Sequence, residues 1–199
     1  MPYDALLSLC VFAFVTSITP GPSNLMLLAS GVNFGFARTI PQVLGITVGF
    51  VSLLLAVGLG IGAVLTAYPA LHSLLRAGGA AYLLYLAWRI AMARALGGET
   101  AGQGRPLTFV ESATFQWINP KAWVVALTVV AVHADPAAPV ASVAAIALAF
   151  AIVNLPSILA WVGFGVALRT FLSDPVRLKW FNLAMGALLA ATLWPLAMA

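Results

Sequence analysis

No charged side chain interrupts the sequence between Arg38 and Arg76, or between Asp135 and Arg169. A helix needs roughly 20 mainly apolar residues to cross a bilayer, and stretches this long and this apolar constrain the fold more than anything else in the chain. Composition extends the point to the whole molecule. Of 199 residues, 63% are hydrophobic and 7% charged, against about 25% charged in an ordinary soluble domain. A soluble fold of this size would carry a largely hydrocarbon surface. A soluble enzyme, a disordered chain and a disulfide-stapled secreted domain are therefore excluded. The expected fold is an all-α, multi-pass membrane protein, a single domain over 1–199, with the lipid bilayer as its solvent.

The remaining bulk features agree. Cys10 is the single cysteine and lies in an apolar run, so it forms no intrachain disulfide. The net charge of +4 is spread over nine cations along the whole chain, which gives no basic patch and no nucleic-acid partner. In a membrane protein such cations mark the cytoplasmic loops.

Reading between charges and turn clusters gives six spans: Ala5 to Ala29, Ile40 to Ala67, Leu71 to Ala93, Thr108 to Val132, Ala138 to Leu168 and Val176 to Met198. The first has no basic leader segment, and Thr19-Pro20-Gly21-Pro22 breaks its apolar run, so it reads as a span and not as a cleaved signal peptide. One set of alternate loops holds Arg38, Arg89, Arg94, Arg105, Arg169, Arg177 and Lys179, and the other holds Arg76. This asymmetry puts the first set in the cytoplasm and both termini outside. Trp88, Trp180 and Trp194 fall near span ends, and His72 and His133 read as interfacial.

The hydrophilic stretch 96–106 divides the chain into halves of about 1–98 and 106–199. Each half holds three spans, an odd number, so the two insert in opposite orientations. Echoes between them fit a duplication: Pro20 with Pro120, Val57-Gly-Leu-Gly-Ile61 with Val162-Gly-Phe-Gly-Val166, and Trp88 with Trp194. Secondary transporters are often built from such inverted repeats, with the substrate at helix interruptions near the bilayer midplane. Here the interruptions are Thr19-Pro20-Gly21-Pro22-Ser23-Asn24 in span one, Gln116 to Lys121 around Asn119-Pro120 in span four, and Asn154-Leu155-Pro156-Ser157 in span five.

Proline removes a backbone donor and clashes with the preceding turn. Two prolines around a glycine predict local unwinding, with a second half-helix starting near Pro22. Its free amides suit a carboxylate, and Ser23 and Asn24 add side-chain hydrogen bonds. Lys121 lies ten residues beyond Glu111, about 15 Å along a helix and so near mid-depth, where a lysine costs about 2.5–3.5 kcal/mol. None of the five acids, Asp4, Glu99, Glu111, Asp135 and Asp174, is placed to pair with it. Its partners are then break carbonyls, water and the substrate. The expected arrangement has Lys121 attracting a substrate carboxylate while break carbonyls hold an ammonium group. Gly45-x-x-x-Gly49 and Gly58-x-x-x-Gly62 permit close helix approach, within one chain or between copies in a homo-oligomer.

These motifs resemble those of the LysE/RhtB family of bacterial amino-acid exporters over nearly the whole length. Thr19-Pro-Gly-Pro-Ser-Asn24 and Asn119-Pro-Lys-Ala122 match the family's first- and fourth-helix motifs, and Leu44-Gly-Ile-Thr-Val-Gly49 and Ala80-Ala-Tyr-Leu-Leu-Tyr-Leu-Ala-Trp88 resemble its second and third. The resemblance implies a secondary transporter that exports amino acids or related metabolites across the bacterial inner membrane, driven by an ion gradient. Trp123 to His133 departs from the commonest family form. With no mid-depth carboxylate for a cationic side chain, small neutral amino acids fit better than basic ones. The candidate binding residues are Thr19, Pro20, Gly21, Pro22, Ser23, Asn24, Gln116, Asn119, Pro120, Lys121 and Asn154.

The alternatives are an integral-membrane enzyme and a channel. The spans offer no nucleophile–histidine pair or acid pair, and no HExxH, CxxC or GxSxG occurs. No catalytic residue, metal or cofactor is expected. A channel would need a ring-forming filter sequence, and none is present.

Overall fold

The computed structural model describes residues 3–61, 69–96 and 104–194, with the side chains of 69, 71, 72, 75 and 76 left out. The readings made for Gly62, the end of span two, the His72 and Arg76 side chains, Glu99 and the last residues of span six fall outside this description. Among the described residues there are eight α-helices, one 3-10 turn and no strand. They are α1 (Tyr3–Ile18), α2 (Pro22–Phe34), α3 (Phe36–Gly58), α4 (Pro69–Ala91), α5 (Phe109–Ile118), α6 (Pro120–His133), α7 (Pro139–Leu168) and α8 (Pro175–Ala191).

By length and apolarity α3 and α7 can each cross a membrane alone. The pairs α1–α2 and α5–α6 do so if each is one bent span, with bends of 56° and 66°. That gives two to four candidate spans. The helices start where the chain's local chemistry puts them. Pro22, Pro120, Pro139 and Pro175 each occupy a first helical position, where the missing amide costs nothing. Thr108 opens α5 through a capping box with Glu111, whose carboxylate also takes both guanidinium nitrogens of Arg105 at 2.6 and 2.7 Å. Gly35 alone joins α2 to α3, at φ 82°, a conformation that glycine adopts without cost.

The outer surface is apolar and much of the polar content lies inside. Phe14, Val48, Leu84, Leu148, Ile152 and Phe164 are exposed, whereas every described asparagine and glutamine is buried. Intramembrane polar groups behave in this way, facing the bundle interior. The largest apolar cluster gathers Leu9, Phe50, Leu53, Leu54, Val129, Ile146 and Phe150 from α1, α3, α6 and α7. α3 packs along α5 and α7, α2 along α7, and α4 along α8.

Small residues make these contacts close. A Cβ on Gly45 would lie 2.3 Å from the Phe109 carbonyl oxygen, and one on Gly49 2.5 Å from that of Ala113. This glycine pair therefore serves packing of α3 on α5 within one chain. Gly31 and Gly165 meet in the same way between α2 and α7.

Two expectations are corrected. The Asn154-Leu155-Pro156-Ser157 segment does not interrupt its span, because α7 continues through it as one 30-residue helix. The Ser157 hydroxyl donates to the Val153 carbonyl at 2.9 Å, and membrane helices tolerate an internal proline where nearby groups satisfy the freed backbone. The glycine echo is not structurally equivalent either. Val57 to Ile61 ends α3, with Gly60 at φ 101°, whereas Gly165 lies within α7 against the Leu28 carbonyl.

Candidate functional site

The two breaks face each other. α1 stops at Ile18 and α2 starts at Pro22, so the carbonyls at the end of α1 lose their helical partners. Side chains replace them one by one. Asn24 Nδ2 donates to the carbonyls of Ser17 and Thr19, both at 2.8 Å. The Trp161 indole N–H donates to that of Ile18 at 3.1 Å. The Thr19 hydroxyl donates to that of Thr16 at 3.1 Å. Lys121 Nζ, arriving from the second break, donates to the Thr19 carbonyl at 2.7 Å, to Thr19 Oγ1 at 3.0 Å and to the Pro20 carbonyl at 3.5 Å. Among the described residues no carboxylate bridges Lys121. Its side chain crosses Gly21, where a Cβ would sit 2.7 Å from Lys121 Cδ. Glycine at 21 is what opens that path.

The second break is organised by Asn119, which ends α5 and caps α6. Its Oδ1 accepts from the Lys121 amide at 3.1 Å, and its Nδ2 donates to Ser23 Oγ at 3.1 Å and to Gln116 Oε1 at 3.3 Å. Gln116 Nε2 also donates to Ser23 Oγ at 3.0 Å. The Trp123 indole takes the Trp117 carbonyl at 2.6 Å, as Trp161 takes that of Ile18 at the first break. Ser23, Gln116 and Asn119 thus tie the start of α2 to the end of α5.

A cavity with about 460 Å³ of empty space, its open mouth included, lies against both breaks. That falls within the usual range for small-molecule sites. Gly21, Ser23, Asn24, Gln116, Asn119, Lys121 and Asn154 line it. Thr19 bonds Lys121 from the break, and Pro20, Pro22 and Pro120 shape the breaks without lining the cavity. Lys121 is the one charged residue in the lining. Two further donors point to anion binding. Pro22 has no amide, Leu25 N is bonded to the Gly21 carbonyl, and Gly21 has no capping side chain, so the Ser23 and Asn24 amides are the unpartnered donors of α2. The Asn154 side chain has no hydrogen-bond partner among the described residues, although it is buried.

The break carbonyls are already hydrogen-bonded within the protein. Asn24, Trp161 and Lys121 donate to those of the first break, so an ammonium group there shares each acceptor with a donor in place. The Asn154 amide oxygen, without a partner among the described residues, is better placed for it. The sequence reading also missed the apolar lining, in which Ile46, Phe50, Phe150 and Ile158 are prominent. A signal for it was present. The spacing of 100 that relates Pro20 to Pro120 also relates Phe50 to Phe150, whose rings are 5.2 Å apart.

Apolar helices around a polar, singly charged cavity are the construction of a multi-pass membrane transport protein. The chain belongs to the LysE type translocator family, whose model matches residues 14–199. Family members are translocators, not enzymes, and the family and the apolar helices together place the chain in the bacterial inner membrane. It is similar to proteins named cysteine/O-acetylserine efflux protein from Escherichia coli K12, Shigella sonnei and Shigella flexneri, 33% identical over 111 residues in each. The match covers 55% of this chain and 55% of each relative, so it spans about half the length of these curated relatives. No solved structure matches.

Proposed function

We propose that this protein is a secondary active exporter of small neutral amino acids or closely related metabolites, driven by an ion gradient. Six spans form two inverted three-span repeats with both termini outside, and the substrate binds between the two breaks near the bilayer midplane. The observation that carries the reading is Lys121, a lone cation in an otherwise uncharged cavity, held only by break oxygens. A substrate carboxylate takes Lys121 Nζ together with the Ser23 and Asn24 amides. The ammonium group goes to the Asn154 amide oxygen. A short side chain lies against Ile46, Phe50, Phe150 and Ile158. Cysteine and O-acetylserine, named for the relatives, are the first substrates to try, since both carry short uncharged side chains.

The packing supports the inverted repeat. α3 of the first half runs along the bent pair α5–α6 of the second, and α7 of the second half runs along the bent pair α1–α2 of the first. α4 and α8, the third members of each half, pack on each other.

The test is efflux from cells or inside-out vesicles loaded with a panel of labelled amino acids including cysteine and O-acetylserine, comparing wild type with Lys121→Ala. Transport of one group, lost in the variant, is expected. A wild type that moves none of the panel overturns the substrate reading, and equal transport by both proteins overturns the role of Lys121. Attaching impermeant thiol reagents to cysteines placed at either terminus, in a Cys10→Ser background, tests the orientation.

A further inference from the structure

A second cavity lies on the cation-rich side of the bundle, and it shares no lining residue with the first. It holds about 520 Å³ of empty space, mouth included, between α2, α3, α4 and the segment 104–107. Gln42 and Ile46 are one helical turn apart on α3, and they line the inner and central cavities respectively. The two cavities are therefore offset by about 6 Å along that helix. Leu27, Val43 and Ile46 pack together on the intervening turns of α2 and α3.

Two features make the inner cavity a binding site. Gln42 is 1% exposed, and its Oε1 has no hydrogen-bond partner among the described residues. A buried acceptor left unpaired costs about 1–3 kcal/mol, so a donor brought by a ligand would remove a penalty already present. The second is Arg89. Its guanidinium sits 5.7 Å from the Tyr85 ring centre and donates through Nη2 to the Arg105 carbonyl at 3.0 Å. That contact leaves most of its donors unused, and no carboxylate among the described residues pairs with it. Arg105, also in the lining, is neutralised by Glu111. Among the described residues the cavity therefore presents one guanidinium without a carboxylate and one buried acceptor without a partner.

We infer that the inner cavity is a second binding site for a zwitterionic amino acid, with the carboxylate on Arg89 and the ammonium group on Gln42 Oε1. It is a loading site on the cytoplasmic side, one helical turn short of the central site. The inference rests on the proposed export reading for the identity of its ligand. An anionic lipid headgroup shares this chemistry, with a phosphate for Arg89 and glycerol hydroxyls for Gln42 Oε1, and the lipid arm of the experiment separates the two.

Equilibrium binding of radiolabelled O-acetyl-L-serine to the full chain, purified into phosphatidylcholine nanodiscs, tests this. Two equivalents per chain are expected in wild type. Lys121→Ala, Arg89→Gln and Gln42→Met should each bind one. Arg89→Lys, which keeps the charge and loses the planar fork, should weaken the second equivalent without abolishing it. One equivalent in wild type, lost in Lys121→Ala and untouched in Arg89→Gln, overturns the inner site and leaves the exporter standing. One equivalent lost in Arg89→Gln and untouched in Lys121→Ala supports the inner site and overturns the central one. No binding to wild type overturns both. A parallel arm adds phosphatidylglycerol. If native mass spectrometry finds one retained phosphatidylglycerol that Arg89→Gln releases, and amino-acid binding stays at one equivalent, the cavity belongs to lipid and the inference fails.

Discussion

Replacing Lys121 by methionine shortens the side chain by one atom and removes its charge, and the structure fixes the sign of two separate effects. For stability, the variant loses three contacts but strands almost nothing. The Thr19 carbonyl keeps Asn24 Nδ2 at 2.8 Å, and the Thr19 hydroxyl keeps the Thr16 carbonyl at 3.1 Å. The Pro20 carbonyl, bonded at 3.5 Å in the wild type, is the one acceptor released. Hydrogen bonds from a charged donor contribute about 1.5–3 kcal/mol each, while holding a lysine within the bilayer costs about 2.5–3.5 kcal/mol. The bonds at 2.7 and 3.0 Å together exceed that cost by up to about 3 kcal/mol, so the thermal midpoint in detergent should fall, by no more than about 10 °C. For substrate, nothing offsets the loss. A charge-assisted contact worth about 1.5–3 kcal/mol corresponds to a roughly 10- to 150-fold weaker affinity at 1.4 kcal/mol per decade. The assay pairs a melting curve with substrate titration of efflux. A variant that melts far lower but transports with wild-type affinity would refute the reasoning, because Lys121 would then be a structural tie between the two breaks.

Gly21→Ala should leave the fold intact and depress transport, because the new methyl displaces Lys121 from its path at 2.7 Å; efflux and melting measured together check this. Gly45→Leu should prevent stable folding, since the Phe109 carbonyl and the Ser112 side chain occupy the space, and size-exclusion chromatography in detergent reads the loss of monodisperse protein. Asn33→Leu breaks a reciprocal amide pair with Asn182 at 2.9 and 3.1 Å and leaves buried groups unpaired. A loss of about 1–3 kcal/mol is expected, partly recovered in the Asn33→Leu/Asn182→Leu double variant, and thermal or denaturant unfolding measures it. Trp161→Phe unpairs the Ile18 carbonyl and should lower the melting point, with a comparable decrease for Trp123→Phe at the Trp117 carbonyl.

The positions of both breaks were legible because they depend on local covalent chemistry. Pro20, Pro22 and Pro120 lack amides wherever the chain places them, and the half-helices start at Pro22 and Pro120 as that chemistry dictates. The isolation of Lys121 was legible too, since a list of five acids and their sequence positions suffices. Proline alone misled at Pro156. The same missing amide that breaks α1 from α2 leaves α7 continuous through Pro156, so a proline by itself does not decide where a membrane helix stops. Which oxygens Lys121 takes was not legible. The Thr19 carbonyl is 102 residues away, and only the folded chain brings it within 2.7 Å.

The sequence by itself determined that the chain lives in lipid, where its helices are interrupted, and that a single cation sits among uncharged residues, because hydrocarbon content, missing amides and charge counts are properties of the covalent chain. The tertiary structure alone decided who satisfies the freed groups. Asn24 and Trp161, not the substrate, take the carbonyls at the end of α1. Asn33 finds Asn182 across 149 residues, and Gln42 Oε1 is left without a partner among the described residues, in a cavity that Arg89 also lines. Hydrogen bonds form only at contact distance, and contact between helices far apart in sequence is set by packing that no local pattern encodes.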